Sequence, residues 1–134
     1  RALFDSQQYH SLSHPIILPE ARLGTLLKAQ LKGLEILDYG LALEESSFTI
    51  GPNTCRLQWP LAAAYAFAVV TQAKALKISL VGFDGYSADD PRQEEMNDVF
   101  IKYCSLKKSL NITSLTPTTY RIRQSSIYSP INAE

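Results

Sequence analysis

Residues 54–90, TCRLQWPLAAAYAFAVVTQAKALKISLVGFDGYSADD, decide the fold class of this chain. A short strand candidate leads through Trp59-Pro60 into an alanine-rich helix, since proline fits the start of a helix, where its missing N–H costs little. The apolar run LKISLVGF at 76–83 is typical of a parallel strand that is buried on both faces. Strand, helix and strand in this order predict a β-α-β unit.

The segment after this unit has the clearest helical pattern of the chain. Asp90 is placed to cap a helix that begins at Pro91. The charged residues are acidic early and basic late, as the helix dipole favours. Apolar residues recur at steps of three and four positions, at Met96, Val99, Phe100, Tyr103, Leu106 and Leu110.

Weaker patterns predict the remaining elements. On the amino-terminal side we expect a short helix at 4–9, an amphipathic helix at 20–32, and strands at 15–18, 35–43, 48–51 and 55–58. On the carboxy-terminal side we expect two short strands, at 111–115 and 119–122. Together these patterns predict an α/β fold with a three-layer, Rossmann-like arrangement, in which a mostly parallel sheet has helices on both faces.

Length and composition fit one soluble domain. The chain has 134 residues, of which 46% are hydrophobic, enough for a single core. Thirteen basic residues balance thirteen acidic ones, so the net charge gives no reason to expect nucleic acid or an anionic membrane as a partner. No apolar run approaches the roughly 18 residues of a membrane span. Any anion site must therefore be local.

Cysteine and histidine usage argues against a metal site. Cys55 and Cys104 are far apart and belong to no CxxC motif or histidine cluster. We interpret both as reduced thiols in a cytoplasmic protein, Cys55 on a strand and Cys104 on a helix. The histidines are His10 and His14, and the position of His14 beside Pro15 is more typical of a surface residue than of a catalytic one.

We expect residues 1–134 to be one Rossmann-like domain, either whole or in part. The chain begins at Arg1 without a methionine, and its opening residues lack the succession of basic, apolar and small residues of a signal peptide. This indicates a piece of a longer protein.

The first candidate ligand site is the loop that follows the 76–83 strand. Ligands of open parallel sheets bind beyond the carboxyl ends of the strands, so Gly82, Asp84, Gly85 and Tyr86 are predicted ligand-binding residues. The glycines permit close backbone approach, and the other two offer a carboxylate and an aromatic face. The alternative is that the aspartates only form a turn and cap a helix. A magnesium ion on the three aspartates of this loop is a further alternative, but capping explains Asp90 more simply and we predict no metal.

The second candidate is the carboxy-terminal segment. Arg121, Arg123, Ser125 and Ser126 supply guanidinium groups and hydroxyls that suit phosphate or carboxylate, and we predict that they bind ligand. Solvated residues of an edge strand have the same pattern, with both arginines on one strand face. No nucleophile elbow, HExxH motif or Cys-His pair is present, so no catalytic residue is assigned.

A family resemblance sharpens these expectations. LVGFDGYSADDPRQEEMNDVF at 80–100, with SLTPTTYRIRQSSIY at 114–128, resembles the carboxy-terminal domain of bacterial proteins whose amino-terminal domain is an aldolase like 4-hydroxy-2-oxovalerate aldolase, an HMG-CoA-lyase-like barrel. That domain is in turn similar to the Rossmann-like domain of sialyltransferase-like and motility accessory proteins. The matching residues are the alanine-rich helix and Gly82-Phe83-Asp84, whereas the glycine-rich first β-α turn of such domains is absent.

The resemblance implies an accessory domain in surface-polysaccharide or sialic-acid-like sugar biosynthesis. Its ligand would be a nucleotide sugar or sugar phosphate, and its partner the amino-terminal aldolase domain of the same protein. It implies no cofactor in this chain, although the parent barrel would use a divalent metal. Two alternatives remain open: a glycosyltransferase-like domain, and a structural module that mediates homo-oligomer contacts. Neither nucleic acid nor a membrane is an expected partner.

Overall fold

The computed structural model describes residues 14–128 and shows a mixed α/β fold. Within this range, eight strands form three small sheets. The first sheet pairs β1 (Ile16–Leu18) in parallel with β2 (Ile36–Asp38). In the second, β5 (Thr54–Leu57) lies between β3 (Gly40–Leu43), which is parallel to it, and β4 (Phe48–Ile50), which is antiparallel. The third is parallel, in the order β6 (Lys77–Leu80), β7 (Asn111–Ser114) and β8 (Arg123–Gln124).

The helices differ in length and in their agreement with the sequence patterns. The helix predicted at 20–32 is broken into a 3₁₀ turn, Glu20–Arg22, and a short helix α1, Thr25–Gln30, because Leu23 between them is extended. Helix α2 spans Ala62–Gln72. Helix α3 spans Pro91–Cys104, and its cap is confirmed: the Asp90 carboxylate accepts a hydrogen bond from the Arg92 N–H at 2.9 Å.

The fold contains a β-α-β unit, but it lies one strand and one helix further along the chain than predicted. Helix α3 joins the adjacent parallel strands β6 and β7, with Ile78 opposite Ile112. Helix α2 joins β5 to β6, yet these two strands belong to different sheets. The reason is that both edges of β5 are already occupied, one by β3 and one by β4. The unit predicted at 54–90 is therefore wrong in its strand pairing.

The strand predicted at 35–43 changes partners at Tyr39. Its first half, β2, pairs with β1, and its second half, β3, pairs with β5. At the junction the Tyr39 N–H donates to the Leu18 carbonyl at 3.2 Å, and the Gly40 N–H donates to the Asn53 carbonyl at 2.8 Å. A Cβ on Gly40 would lie 2.9 Å from Thr54 Oγ1, so the close approach of the two chains here favours glycine.

One core joins the second and third sheets to α2 and α3. Alternate residues of β5 and β6 are buried, and the helices meet through Phe67, which lies 5.7 Å from Phe100 and 5.3 Å from Tyr103 between ring centroids. At the far end of α2, the Thr71 and Tyr103 hydroxyls are hydrogen-bonded at 2.6 Å inside the core. Aromatic pairs at these separations stabilise beyond the area that they bury.

The prediction that the 76–83 strand is buried on both faces is wrong. In β6 only Ile78 and Leu80 are buried, whereas Lys77 and Ser79 alternate with them and are exposed. The flanking apolar residue Leu76 is 94% exposed. Polar residues at alternate positions indicate a strand with one covered face. The described residues show a mixed α/β fold with eight strands in three small sheets.

The strand predicted at 119–122 is also wrong. This segment is a series of bends in which the Ile122 N–H donates to the Tyr120 carbonyl, and the last strand follows at Arg123–Gln124. The bends bury Tyr120 against Phe100, with ring centroids 5.3 Å apart. The helix expected at 4–9 and His10 lie outside the described residues, and His14 is exposed. Across residues 14–128, every helix is too short or too polar to span a bilayer.

Candidate functional site

A cleft of about 440 Å³ opens where three strands end. Residues 61–63, which follow β5, form one wall, and residues 82–86, which follow β6, form the opposite wall. Tyr120, which follows β7, lines the cleft together with Arg92 and Met96 of α3. Segments that follow β5, β6 and β7 therefore line one cavity, and the region beyond the strand ends is the usual location of a ligand site in α/β proteins.

The first set of predicted ligand-binding residues lies on this wall. Gly82, Asp84, Gly85 and Tyr86 all line the cleft. Gly85 has φ +98°, and a Cβ there would lie 1.9 Å from Thr119 Oγ1, so this position requires glycine. The placement agrees with the sequence, and ligand binding at these residues stays a prediction.

Gln93, which was not predicted from the sequence, holds the wall in place. The side chain is 7% exposed; its oxygen accepts the Tyr86 N–H at 2.9 Å, and its nitrogen donates to Thr119 Oγ1 at 3.2 Å. Thr119 is bonded in turn to the Asp84 carbonyl, through its N–H at 2.8 Å and its hydroxyl at 3.2 Å. The helical spacing could have indicated this role. Gln93 lies on the same apolar helix face as Met96, and a buried amide on that face needs hydrogen-bond partners inside the protein.

Arg92 also lines the cleft without having been predicted. Its guanidinium carbon lies 4.2 Å from the centre of the Tyr86 ring, a cation–π contact. Its Nη2 donates to Asp90 Oδ2 at 2.6 Å and its Nε donates to Oδ1 at 3.0 Å, so one edge of the guanidinium is occupied. The side-chain hydrogen bond from Arg92 lowers the pKa of Asp90 below its ordinary value. Both groups are therefore charged at neutral pH.

The remaining lining is mostly apolar. Leu61, Phe83 and Met96 face the cleft along with the ring of Tyr120, which is only 6% exposed. Burial is also the main cause that raises the pKa of the Tyr120 hydroxyl. The cleft thus combines apolar walls with a few polar groups, as small-molecule sites do.

The amino end of α2 lies at the cleft. Leu61, at the N-cap position, is extended, and among residues 14–128 no side chain caps the first turn. Residues 62 and 63 lie on the cleft wall. The helix start is anchored elsewhere, since Trp59 Nε1 donates to Asp98 Oδ2 of α3 at 3.2 Å. Unpaired N–H groups at a helix start favour a negatively charged or acceptor group in the cleft.

The second set of predicted residues does not line the cleft. Arg121 is exposed on a bend and Arg123 is exposed on β8, so the two do not share a strand as predicted. The Ser125 N–H donates to the Ser114 carbonyl at 2.8 Å, and Ser126 Oγ accepts from the Tyr128 N–H at 3.1 Å. These four residues lie on the last strand and on the segments just before and after it, which sequence spacing alone could not relate to the cleft.

The described part of the chain offers little for metal or nucleophilic chemistry. No group of three or more His, Cys, Asp and Glu residues within 14–128 is placed to hold a metal ion, and Asp90 is occupied by Arg92. Cys55 is on β5 as predicted and fully buried, which raises the pKa of its thiol to about 11. Cys104, the last residue of α3, lies outside the cleft lining.

Comparisons with family models, with curated proteins and with solved structures give no match to this chain. The resemblance to the carboxy-terminal domain of aldolase-like proteins accordingly stays a prediction.

Proposed function

We propose that this chain is a binding domain that holds a nucleotide sugar or a sugar phosphate in the cleft at the ends of β5, β6 and β7. One observation supports this most strongly: three successive strand ends contribute to a single cavity of about 440 Å³. That volume falls within the range of about 300–1,000 Å³ that small-molecule sites occupy. A cleft at this edge of a sheet is where α/β proteins bind such ligands.

The lining matches the two chemical parts of such a ligand. Phe83, Met96 and Tyr120 provide an apolar surface against which a ring can pack. The exposed carboxylate of Asp84 can accept hydrogen bonds from sugar hydroxyls. The uncapped start of α2 supplies N–H groups for a phosphate oxygen.

The domain binds its ligand without transforming it. The titratable side chains on the cleft wall are Asp84, Tyr86, Arg92 and Tyr120, with neither a histidine nor a cysteine among the lining residues of the described chain. A nucleophile within reach of a base, which covalent catalysis needs, is not formed by this set.

The resemblance supports a proposal for the full-length protein to which this domain belongs. The motifs at 80–100 and 114–128 support a carboxy-terminal accessory domain in surface-glycan biosynthesis, with an aldolase barrel of the same protein as partner. The finer fold that goes with it is a Rossmann-like three-layer domain, which the parallel unit β6-α3-β7 supports. Sequencing the coding region upstream of Arg1 tests this setting, since an aldolase barrel should be encoded there.

Thermal unfolding with and without ligand tests the binding proposal. Uridine diphosphate and cytidine monophosphate sugars, together with hexose 1-phosphates, should raise the melting temperature of the chain. Ligand at ten times its Kd stabilises the folded state by roughly 1.4 kcal/mol, which a thermal scan resolves.

Two matched variants locate the site. Ala62 and Ala66 are both exposed alanines of α2, but only Ala62 lies on the cleft wall. Ala62→Phe should abolish the ligand-induced shift, and Ala66→Phe should leave it intact. No shift with any of these ligands, or equal shifts in both variants, contradicts a sugar-nucleotide or sugar-phosphate site in this cleft.

A further inference from the structure

The charges around the cleft are not those of a strong phosphate site. Arg92 is the one cationic residue of the lining within the described chain, and Asp84 is the anionic one. Asp90 accepts hydrogen bonds from the Nε and Nη2 groups of Arg92 at 2.6–3.0 Å and places a negative charge directly beside this cation. Arg121 and Arg123, the other candidate cations, are not part of the lining.

Further carboxylates lie in the same segment of the chain, outside the lining of the cleft. Asp89 precedes the Asp90 cap, and Glu94 and Glu95 follow Arg92 in the first turns of α3. Counted with Asp84 and Asp90, residues 84–95 contain five carboxylates and one guanidinium. A diphosphate, with two or more negative charges, meets repulsion here that the partial positive charge of a helix start only partly offsets.

The chemistry of the lining fits a sugar ring instead. The aromatic side chains of Phe83 and Tyr120 both line the cleft, and aromatic rings suit the C–H face of a pyranose. An ionised carboxylate accepts hydrogen bonds and does not donate them. Two neighbouring hydroxyls of a sugar can therefore donate to the two oxygens of one carboxylate. Asp84 is the group that supplies them, since Asp90 is already paired.

We infer that the cleft selects the uncharged, hydroxyl-bearing hexose ring of its ligand, and that the nucleotide and its phosphates add little affinity. This inference rests on the proposed function and narrows it to the sugar. Asp84 is the residue that distinguishes a hexose from other groups of similar size, and Asp90 lowers the affinity for phosphate by neutralising Arg92.

Calorimetric titration of the chain with a set of defined probes tests this selectivity. The probes are glucose, galactose and N-acetylglucosamine, their 1-phosphates, their uridine diphosphate conjugates, uridine monophosphate and inorganic phosphate. For the hexose that binds best, the free sugar and its 1-phosphate should have Kd values within about threefold of each other. Uridine monophosphate and inorganic phosphate should bind at least about tenfold more weakly.

Three variants assign the roles of the carboxylates. Asp84→Asn should weaken hexose binding by about tenfold, because a hydrogen bond to a charged acceptor is lost. Asp89→Asn, a matched change at a rim residue outside the lining, should alter it less than about twofold. Asp90→Asn still caps α3, and it should strengthen binding of the 1-phosphate by about threefold while leaving the free hexose unchanged. Circular dichroism and unfolding midpoints check that each variant is folded.

The possible outcomes distinguish failure of this inference from failure of the proposed binding function. If uridine monophosphate binds as tightly as the conjugates and free hexoses do not bind, the inference that the cleft selects the sugar is wrong. The proposal of a nucleotide-sugar site is not contradicted by that result. Unchanged hexose affinity in folded Asp84→Asn protein also overturns the inference. The absence of binding by every probe contradicts the proposed function and the inference together.

Discussion

Gln93 fixes the position of Tyr86: the side-chain oxygen of Gln93 accepts the Tyr86 N–H at 2.9 Å, while the same amide donates to Thr119 Oγ1 at 3.2 Å. One buried amide on α3 thus ties the loop after β6 to the loop after β7. Both loops line the cleft. The shape of the candidate site therefore depends on a residue that does not itself belong to the lining.

Replacing Gln93 with Met should impair both stability and ligand affinity. The substitution keeps the length of the side chain but leaves the Tyr86 N–H without its acceptor and removes one of the two partners of the Thr119 hydroxyl, which still donates to the Asp84 carbonyl. Both hydrogen bonds are only partly buried, so we expect a loss of about 1–2 kcal/mol of unfolding free energy, measured by denaturant titration. The loop also gains freedom, so sugar-phosphate affinity should fall.

Thr71→Val is the matched control for this variant. It removes the buried hydrogen bond between Thr71 and Tyr103 at the far end of α2, away from the cleft. It should lower stability by about 1–2 kcal/mol without changing ligand affinity. Equal losses of affinity in the two variants would show that Gln93 acts through global stability alone.

Gly85→Ala should destabilise the protein more than Gly82→Ala. Both glycines have positive φ, +98° and +73°, so alanine is strained at either position. Only at Gly85 does the new Cβ also meet another group, Thr119 Oγ1 at 1.9 Å, whereas nothing lies within 4 Å at Gly82. We expect Gly82→Ala to cost about 1 kcal/mol and Gly85→Ala at least about 2 kcal/mol, measured by urea unfolding. Equal costs would mean that the loops after β6 and β7 are not in contact.

Much of α3 could be predicted from the sequence because helix signals are local. The cap at Asp90, the proline at the first position and the apolar spacing lie within one segment, and the structure confirms the helix at Pro91–Cys104. The position of the loop at 82–86 followed from a similar local rule, since a strand delivers its next residues to the edge of the sheet.

Strand pairing and the full set of cleft residues could not be predicted in the same way. The pairing of β4 with the edge of β5 depends on contacts between two separate segments, which local patterns do not show. In the apolar run at 76–83, the polar residues Lys77 and Ser79 at alternate positions were given too little weight. Arg121 and Arg123 were suitable by chemistry, but of this segment only Tyr120 lines the cleft, and both arginines are exposed outside the lining. Gln93 was missed because its partners are loop atoms that sequence spacing does not bring together.

Asp90→Ala should lower the denaturant midpoint, and Asp90→Asn should lower it less, because asparagine also caps helices. Wild type has an ion pair between Asp90 and Arg92 that Asp90→Asn lacks, so the difference between their denaturant midpoints should depend on pH. Since Arg92 lowers the pKa of Asp90 in the folded state, the stabilisation is present above the pKa of an unfolded aspartate and is lost as the pH falls through the folded value. Midpoints measured from pH 7 down to pH 2 should therefore converge at the acid end; a constant difference would contradict the pairing.

The two cysteines should react at very different rates. Cys55 is 0% exposed and burial raises the pKa of its thiol to about 11, whereas Cys104 is exposed at the end of α3. A thiol-specific reagent at pH 8 should modify one thiol quickly in the native protein and both after unfolding, and Cys104→Ser should remove the fast phase. Fast modification of Cys55 in that variant would mean that β5 opens readily.

The central claim is that a sugar-containing ligand binds where β5, β6 and β7 end. The most direct test is a nitrogen–proton correlation spectrum of the labelled chain during titration with a mixture of glucose, galactose and N-acetylglucosamine 1-phosphates. We expect the largest shifts at the amides of residues 61–63 and 82–86, on the two walls of the cleft. No shifts at all, or shifts concentrated at residues 121–126 with the cleft amides unmoved, would contradict the claim.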